Sequence, residues 1–332
     1  MAGGARRSGR VFPVRATLAA TRADSEEIMK VYLAAPRGFC AGVDRAIEIV
    51  EIALRHFGAP VYVKHAIVHN PHVVRALEAK GAVTVEDVED IPEGSNVVFS
   101  AHGSPPEDFA AARERGLNVI DATCPLVVKV HSEAKKYDRE GRRIILVGHR
   151  GHQEVQGTVG QAPMFFLDDS DGDGDAGLPS WDVDTEIAVL TQTTLSVDDT
   201  RRSVETIRGR FANAVVRDDI CYATTNRQDA VKALCGRADL ILVLGSQSSS
   251  NCNRLREVAE ARGTEAHLIG SVQELDRAWL RDVEAVGITS GASTPDHLVH
   301  EMIDELAPDE VEIIKTADEN VSFTLPRSLV GS

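Results

Sequence analysis

No apolar run in these 332 residues approaches the roughly 20 residues that a helix needs to cross a bilayer. No membrane partner is therefore expected. Positive charge is short as well. The chain has 36 Lys and Arg against 51 Asp and Glu, a formal charge of −15, and a phosphate backbone needs a basic face, so nucleic acid is not expected as a partner. No G-x-G-x-x-G joins a strand to a helix and no G-x-x-x-x-G-K-[ST] occurs, which disfavours a dinucleotide or nucleoside triphosphate cofactor. The five cysteines (Cys40, Cys124, Cys221, Cys235, Cys252) form no C-x-x-C pair, and their number is odd. With no secretory signal visible, such usage points to a reducing compartment and to thiols that act as ligands or nucleophiles.

What is present is an ordinary globular mixture, 43% hydrophobic and 26% charged, with length for two or three domains. Residues 1–22 carry Arg6, Arg7, Arg10, Arg15 and Arg22, and no acid precedes Asp24. That composition fits an organelle transit peptide or a plain disordered extension. Residues 1–28 are accordingly set apart from the fold. The expected location is cytoplasmic, or the plastid stroma if residues 1–28 are a targeting segment.

From Val31 onward, β-rich apolar runs (among them 31–35, 61–68, 97–100, 119–121, 144–147, 187–190, 240–244, 267–269 and 286–289) alternate with helical patterns. Alternation of this kind predicts an α/β fold with small, mostly parallel sheets wrapped by helices. Ligands then collect at the carboxyl ends of the strands. One local unit recurs three times: a strand, a short turn, a cysteine and a helix, at Cys40, Cys124 and Cys221. The spacings are similar, and the excess in the second falls on an acidic Gly-rich loop, 168–177. Three α/β units are therefore expected, at 29–124, 125–220 and 221–306, with residues 307–332 as a tail that packs back on the core. The acidic loop partly matches a calcium-binding template at Asp169, Asp171, Asp173 and Gly174, but Ser180 stands where a bidentate Glu is needed, and calcium is not expected there.

A thiol at a helix N-terminus is placed where unpaired N–H groups and the dipole favour a thiolate. Three such thiols converge if the units pack around a pseudo-threefold axis, and they would hold a soft metal or an iron–sulfur cluster; zinc with a fourth ligand is also compatible. Cys235 reads as helix packing and Cys252 as a residue near a polar turn. The strand ends also supply His69, His102, His149, His152, Gln192, Thr193, Ser249, Ser250, Asn251 and Ser293. Such neutral donors suit a small, highly charged anion. Glu154 is the acid among them, able to hold or deliver a proton or simply to serve as a helix-entry carboxylate.

Six segments, Pro36–Ala46 (PRGFCAGVDRA), Ser100–Gly103 (SAHG), Asp121–Leu126 (DATCPL), Gly151–Val155 (GHQEV), Thr191–Asp199 (TQTTLSVDD) and Asp219–Gln228 (DICYATTNRQ), stand in this order. Together they closely resemble the IspH (LytB) family, the 4-hydroxy-3-methylbut-2-enyl diphosphate reductases, over about residues 30–325. The resemblance implies the last step of the methylerythritol phosphate route, reductive dehydroxylation of the allylic alcohol to isopentenyl and dimethylallyl diphosphates. It implies three α/β units around a central 4Fe–4S cluster held by Cys40, Cys124 and Cys221, with one iron open to the substrate hydroxyl. It assigns diphosphate binding to His69, His102, Ser249, Ser250, Asn251 and Ser293. It places His152, Glu154 and Thr193 around the hydroxyl, with Gln192 supporting them and Glu154 relaying the proton. A soluble one-electron donor of the ferredoxin or flavodoxin type is implied too. Two positions depart from the family's habit, Cys252 where Ser is usual and Ser248 where Asn is common.

Two other readings of the residues remain open at this point. A hydrolyase on a three-cysteine cluster predicts turnover without reductant. An iron–sulfur or zinc sensor predicts indifference to Glu154→Gln.

Overall fold

A computed structural model of the chain describes residues 29–169, 177–217 and 219–330. The extension 1–28 and most of the acidic loop, including Asp171, Asp173 and Gly174 of the calcium-like template, lie outside the described residues. In chain order the first stretch runs β1 (Lys30–Ala35), α1 (Ala41–Phe57), β2 (Val61–Lys64), α2 (Pro71–Glu78), β3 (Ala82–Val85), β4 (Asn96–Phe99), α3 (Pro106–Glu114) and β5 (Asn118–Asp121). The second runs α4 (Pro125–Arg139), β6 (Arg143–Gly148), α5 (Gln153–Val159), β7 (Met164–Asp168), β8 (Ile187–Thr191), α6 (Val197–Arg210) and β9 (Val215–Val216). The third runs α7 (Tyr222–Leu234), β10 (Leu240–Leu244), α8 (Ser250–Glu260), β11 (Glu265–Ile269), β12 (Ala285–Ser290), α9 (Asp296–Leu306), β13 (Glu310–Lys315) and α10 (Arg327–Val330).

The strands form three sheets, ordered β3-β2-β4-β5, β7-β6-β8-β9 and β11-β10-β12-β1-β13. Their ladders are parallel. Parallel sheets are covered on both faces, and their central strands are therefore apolar throughout. β8 and β10 are buried at all five positions. The helices supply the cover. In α1, Val43, Ala46, Ile49, Val50 and Ala53 are buried, the i, i+3, i+4 stripe of a helix on a sheet, and they join Val61, Val63 and Val98 in one core cluster.

The three orders are one pattern, in which β1 occupies in its sheet the position that β5 and β9 occupy in theirs. This alters the expected first boundary. β1 does not join the sheet of the residues that follow it. It pairs with β12, with Val31 opposite Val286, and with β13, with Val31 opposite Val311. The physical reason is burial. Val31 and Ala34 are fully buried and Leu33 nearly so, and a strand buried on both faces needs ladder partners on both edges. The residues at the start of the chain thus complete the sheet built from its last third. Beyond β13, Leu325 and Leu329 pack against the α1 cluster.

Candidate active site

The shared strand position brings the three cysteines together. Each follows the corresponding strand of its sheet and is the N-cap residue of a helix: Cys40 of α1, Cys124 of α4 and Cys221 of α7. Each N–H donates to a carbonyl at the end of the neighbouring strand, Cys40 to Ala292 (3.2 Å), Cys124 to Ala101 (2.9 Å) and Cys221 to Thr193 (3.0 Å). All three side chains line a single cavity. Room for them is made by Gly42, where a Cβ would stand 2.8 Å from Cys124 Sγ and 3.8 Å from Cys40 Sγ.

The helix mouth alone predicts easily ionised thiols, and here burial reverses that expectation. Desolvation pushes Cys40 up, Cys124 up to about 12 and Cys221 up to about 11, and the thiols' repulsion of one another adds to the shift of the latter two. Three helix N-termini do not offset the loss of water. A cationic group bound between the sulfurs would supply what the dipoles lack. Among the described residues, no group of three His, Cys, Asp or Glu is spaced to ligate a single ion.

The other strand ends close around the same cavity. His69, His102, His152, Glu154, Thr193, Ser249, Ser250, Asn251 and Ser293 all line it, as do Thr194 and Thr224. The His69 and His102 rings lie 4.0 Å apart and tilted by 30°, and His152 stands 5.3 Å from His69. Burial, then repulsion from neighbouring imidazoles (His65 for His69, and His69 first for the other two), lowers the pKa of all three, His152 to about 3 and His102 well below its usual range. The rings are neutral hydrogen-bonding groups in this state. The Glu154 N–H donates to His152 Nδ1 at 3.2 Å, which leaves Nε2 to carry the ring proton. Asn251 is 5% exposed, yet neither its Oδ1 nor its Nδ2 has a partner, and His69 Nε2 has none either. Buried polar atoms without partners cost folding free energy. Two such residues facing one cavity mark a place built for a polar ligand.

Glu154 is the buried acid of the site. Its Oε1 accepts the Thr193 N–H at 2.7 Å and its Oε2 the Thr193 hydroxyl at 2.9 Å. Desolvation outweighs both bonds, and Asp219 adds repulsion, so that its pKa is raised to about 7. A carboxyl poised there passes a proton in either direction near neutral pH. Gln192 does not itself line the cavity. Its amide donates to Thr194 Oγ1 (2.8 Å) and Ser250 Oγ (3.2 Å), and its oxygen accepts the His149 N–H (2.9 Å). It ties β8 to α8 and acts through those neighbours. Cys252 lies just past the polar turn at 247–248, in the first turn of α8. It is fully buried on α8, packed so closely on the backbone that a Cβ at Gly245 or Gly291 would meet its sulfur at 2.3 or 2.1 Å.

Sequence reading missed Gly42 and Thr224. Thr224 stands three residues beyond Cys221 in the same motif and was within reach of sequence reading. Gly42 was not, since the sulfur that demands its missing side chain arrives from 82 residues further along.

The family model described as LytB protein matches residues 31–307. A 4-hydroxy-3-methylbut-2-enyl diphosphate reductase of Phenylobacterium zucineum is 52% identical over 310 residues, 91% of this chain and 98% of that protein. The reductase of the same name from Zymomonas mobilis is 49% identical over 309 residues, 91% and 90% of the two chains. Among solved structures, the E-1-hydroxy-2-methyl-but-2-enyl-4-diphosphate reductase of Plasmodium falciparum superposes with a TM-score of 0.88 at 38% identity, over 91% of this chain and 97% of that one.

Proposed function

This chain belongs to the LytB protein family, and from that premise we propose that it reduces 4-hydroxy-3-methylbut-2-enyl diphosphate to isopentenyl and dimethylallyl diphosphates. This reaction is the terminal step of the non-mevalonate route to isoprenoids. The observation that carries the reading is the meeting of three thiols, three neutral imidazoles, the unsatisfied Asn251 amide and one buried acid in a single cavity.

The residues fit an iron–sulfur cluster of the 4Fe–4S type with Cys40, Cys124 and Cys221 as its ligands. Three soft donors line one space, and Gly42 leaves room between two of them. When bound, such a cluster supplies single electrons and, at an iron that the protein leaves unligated, a Lewis acid for the allylic oxygen. The chain's own residues do the rest. His69, His102, Ser249, Ser250, Asn251 and Ser293 offer N–H and O–H donors to a diphosphate, and the strand-end turns fix them before it arrives. The negative charge of the ligand raises the pKa of imidazoles that burial has lowered, and protonation of a ring on binding strengthens its hold. Glu154 holds the proton that must reach the departing hydroxyl, and the Thr193 hydroxyl, which can turn from donor to acceptor, passes it into the cavity. His152, at the start of the same helix as Glu154 and with its proton on Nε2, is a second donor to the cavity. The apolar Val43, Val68, Leu126 and Val127 line the remainder and limit water at the reacting carbon. A soluble ferredoxin- or flavodoxin-type donor would deliver the two electrons one at a time.

The test is anaerobic reconstitution with iron and sulfide, followed by assay of the allylic diphosphate with reduced viologen. Product that appears only with reductant supports the reading. A clustered preparation without reductant-dependent turnover refutes it, and turnover without reductant points to the hydrolyase class.

Two further outcomes follow from the geometry. The proton-bearing form of Glu154 predominates below about pH 7 and is lost above it. The turnover number should therefore fall about tenfold per pH unit on the alkaline side, and this limb should vanish from the residual rate of Glu154→Gln. The stability linkage has the same direction. The folded value, about 7, lies above the free carboxyl's 4.5, so protonation here favours the native state below about 4.5, and that contribution is lost as pH rises through 7. Gly42→Ala should lower the iron bound per chain after a standard reconstitution, because overpacking of this kind costs about 1–3 kcal/mol and falls on Cys124 Sγ. Full loading would mean that the sulfur has space to retreat.

A further inference from the structure

The helix that follows each cysteine carries a cation, and each cation reaches the loop that delivers the next cysteine. Arg45, five residues beyond Cys40 on α1, donates through Nη1 to Ala122 O (3.2 Å) and Thr123 O (3.1 Å), the two carbonyls that precede Cys124. Lys129, five beyond Cys124 on α4, meets Asp219 Oδ1 at 3.1 Å, two residues before Cys221. Arg227, six beyond Cys221 on α7, donates to Gly38 O (2.7 Å) and Phe39 O (3.5 Å), the two carbonyls before Cys40. The circuit closes with the same sense at every step.

We propose that Arg45, Lys129 and Arg227 form a ring of cationic positioning residues that governs how firmly the cysteines hold their cluster and how readily it takes up an electron. The proposal rests on the three-cysteine reading above.

Geometry supports the first half. A cluster ligand must be held in place by its own loop, and each loop here is fixed by a side chain from the adjoining unit. Arg227 is completely buried and also donates to Ala223 O (2.9 Å), with its remaining donors on Glu319 at 2.9 and 3.3 Å. Arg45 Nε donates to Thr324 O at 2.8 Å. The segment between β13 and α10 is thus fastened to both arginines. Outer groups that orient ligands in this way commonly matter about 10- to 100-fold for retention of the metal.

Electrostatics supports the second half. When a low-potential donor passes one electron to the cluster, no bond breaks and the site becomes one unit more negative, so a nearby cation favours the reduced form. Arg45 interacts with Cys124, and Arg227 with Cys40. The three cations are not equivalent. Arg227 is in direct ion contact with Glu319 and Lys129 with Asp219, whereas the hydrogen bonds of Arg45 named above all go to carbonyl oxygens and Asp121 acts on it through space. Arg45 should therefore weigh most on the potential and Arg227 most on retention.

The experiment compares the reconstituted wild type with Arg45→Gln, Arg45→Lys, Arg227→Lys and Lys129→Gln. Iron and sulfide are counted per chain, the 400-nm band is followed during loss to a chelator, and each holoprotein is titrated with dithionite and mediators. Arg45→Gln should lose its cluster on the order of tenfold faster and titrate at a more negative potential. Arg45→Lys should recover the potential while retention recovers only in part, since lysine cannot span both carbonyls. If the arginine variants do not fold, Lys129→Gln decides, because Lys129 is about half exposed and the glutamine amide can still donate to the buried Asp219. Its expected result is a smaller shift of the same sign. Loaded variants with wild-type potential and wild-type rates of loss overturn the proposal and leave the cluster reading standing. A wild type that takes up no cluster overturns both.

Discussion

Replacement of Glu154 by Gln should reduce turnover by about 10²- to 10⁴-fold, the usual worth of a positioned proton donor, with iron content and diphosphate affinity near those of the wild type. The side chain keeps its shape, and the amide oxygen can still accept the Thr193 N–H that Oε1 now takes at 2.7 Å. What disappears is the exchangeable proton. Because Glu154 is fully enclosed and Thr193 is its partner at both oxygens, bulk water cannot easily replace it. The measurement is single-turnover kinetics on fully loaded protein, with substrate affinity determined separately. Wild-type turnover would mean that the proton arrives by another route, through His152 or the ligand itself. A lost affinity with an intact chemical step would recast Glu154 as a binding group.

Features that depend on a few consecutive residues were legible in the chain, and those that depend on the company kept in three dimensions were not. The apolar runs at 240–244 and 187–190 announce central strands because burial on both faces favours apolar residues at every position. β13, Glu310–Lys315, carries Glu310, Glu312 and Lys315 and exposes Val311 and Ile313. A local pattern has little to say about such an edge strand. The placement of β1 beside β12 is likewise invisible locally, since nothing in Lys30–Ala35 tells that its neighbours lie some 250 residues away. The cysteines stood out because strand, turn, thiol and helix recur. Their ionisation was misjudged, because the helix terminus is a local property and desolvation is a property of the finished cavity. The hydrogen-bonding residues at the strand ends, read as donors for an anion, proved to include the partnerless Asn251 side-chain amide and His69 Nε2. Gln192, from the same motif, turned out to hold the wall and does not line it.

Cys221→Ser should leave a well-folded protein with almost no cluster and no reductase turnover. The change tests ligation with little disturbance to the fold, because the side chain has a second role that serine performs better. Cys221 caps α7, with its sulfur accepting from the Thr224 N–H at 3.4 Å and lying 3.2 Å from the Thr224 hydroxyl. Serine is among the preferred residues at that position, and its oxygen is the stronger acceptor. The thermal midpoint of the cluster-free variant should equal or exceed that of cluster-free wild type. Iron, by contrast, loses one of three soft ligands, and a hydroxyl buried in this cavity is a poor substitute for a thiolate. Iron and sulfide analysis, the 400-nm absorbance and the melting curve together separate the two roles. Retention of a full cluster by the variant would remove Cys221 from the ligand set. A fall in stability with the cluster absent from both proteins would mean that the sulfur's packing, and not its cap, holds the start of α7.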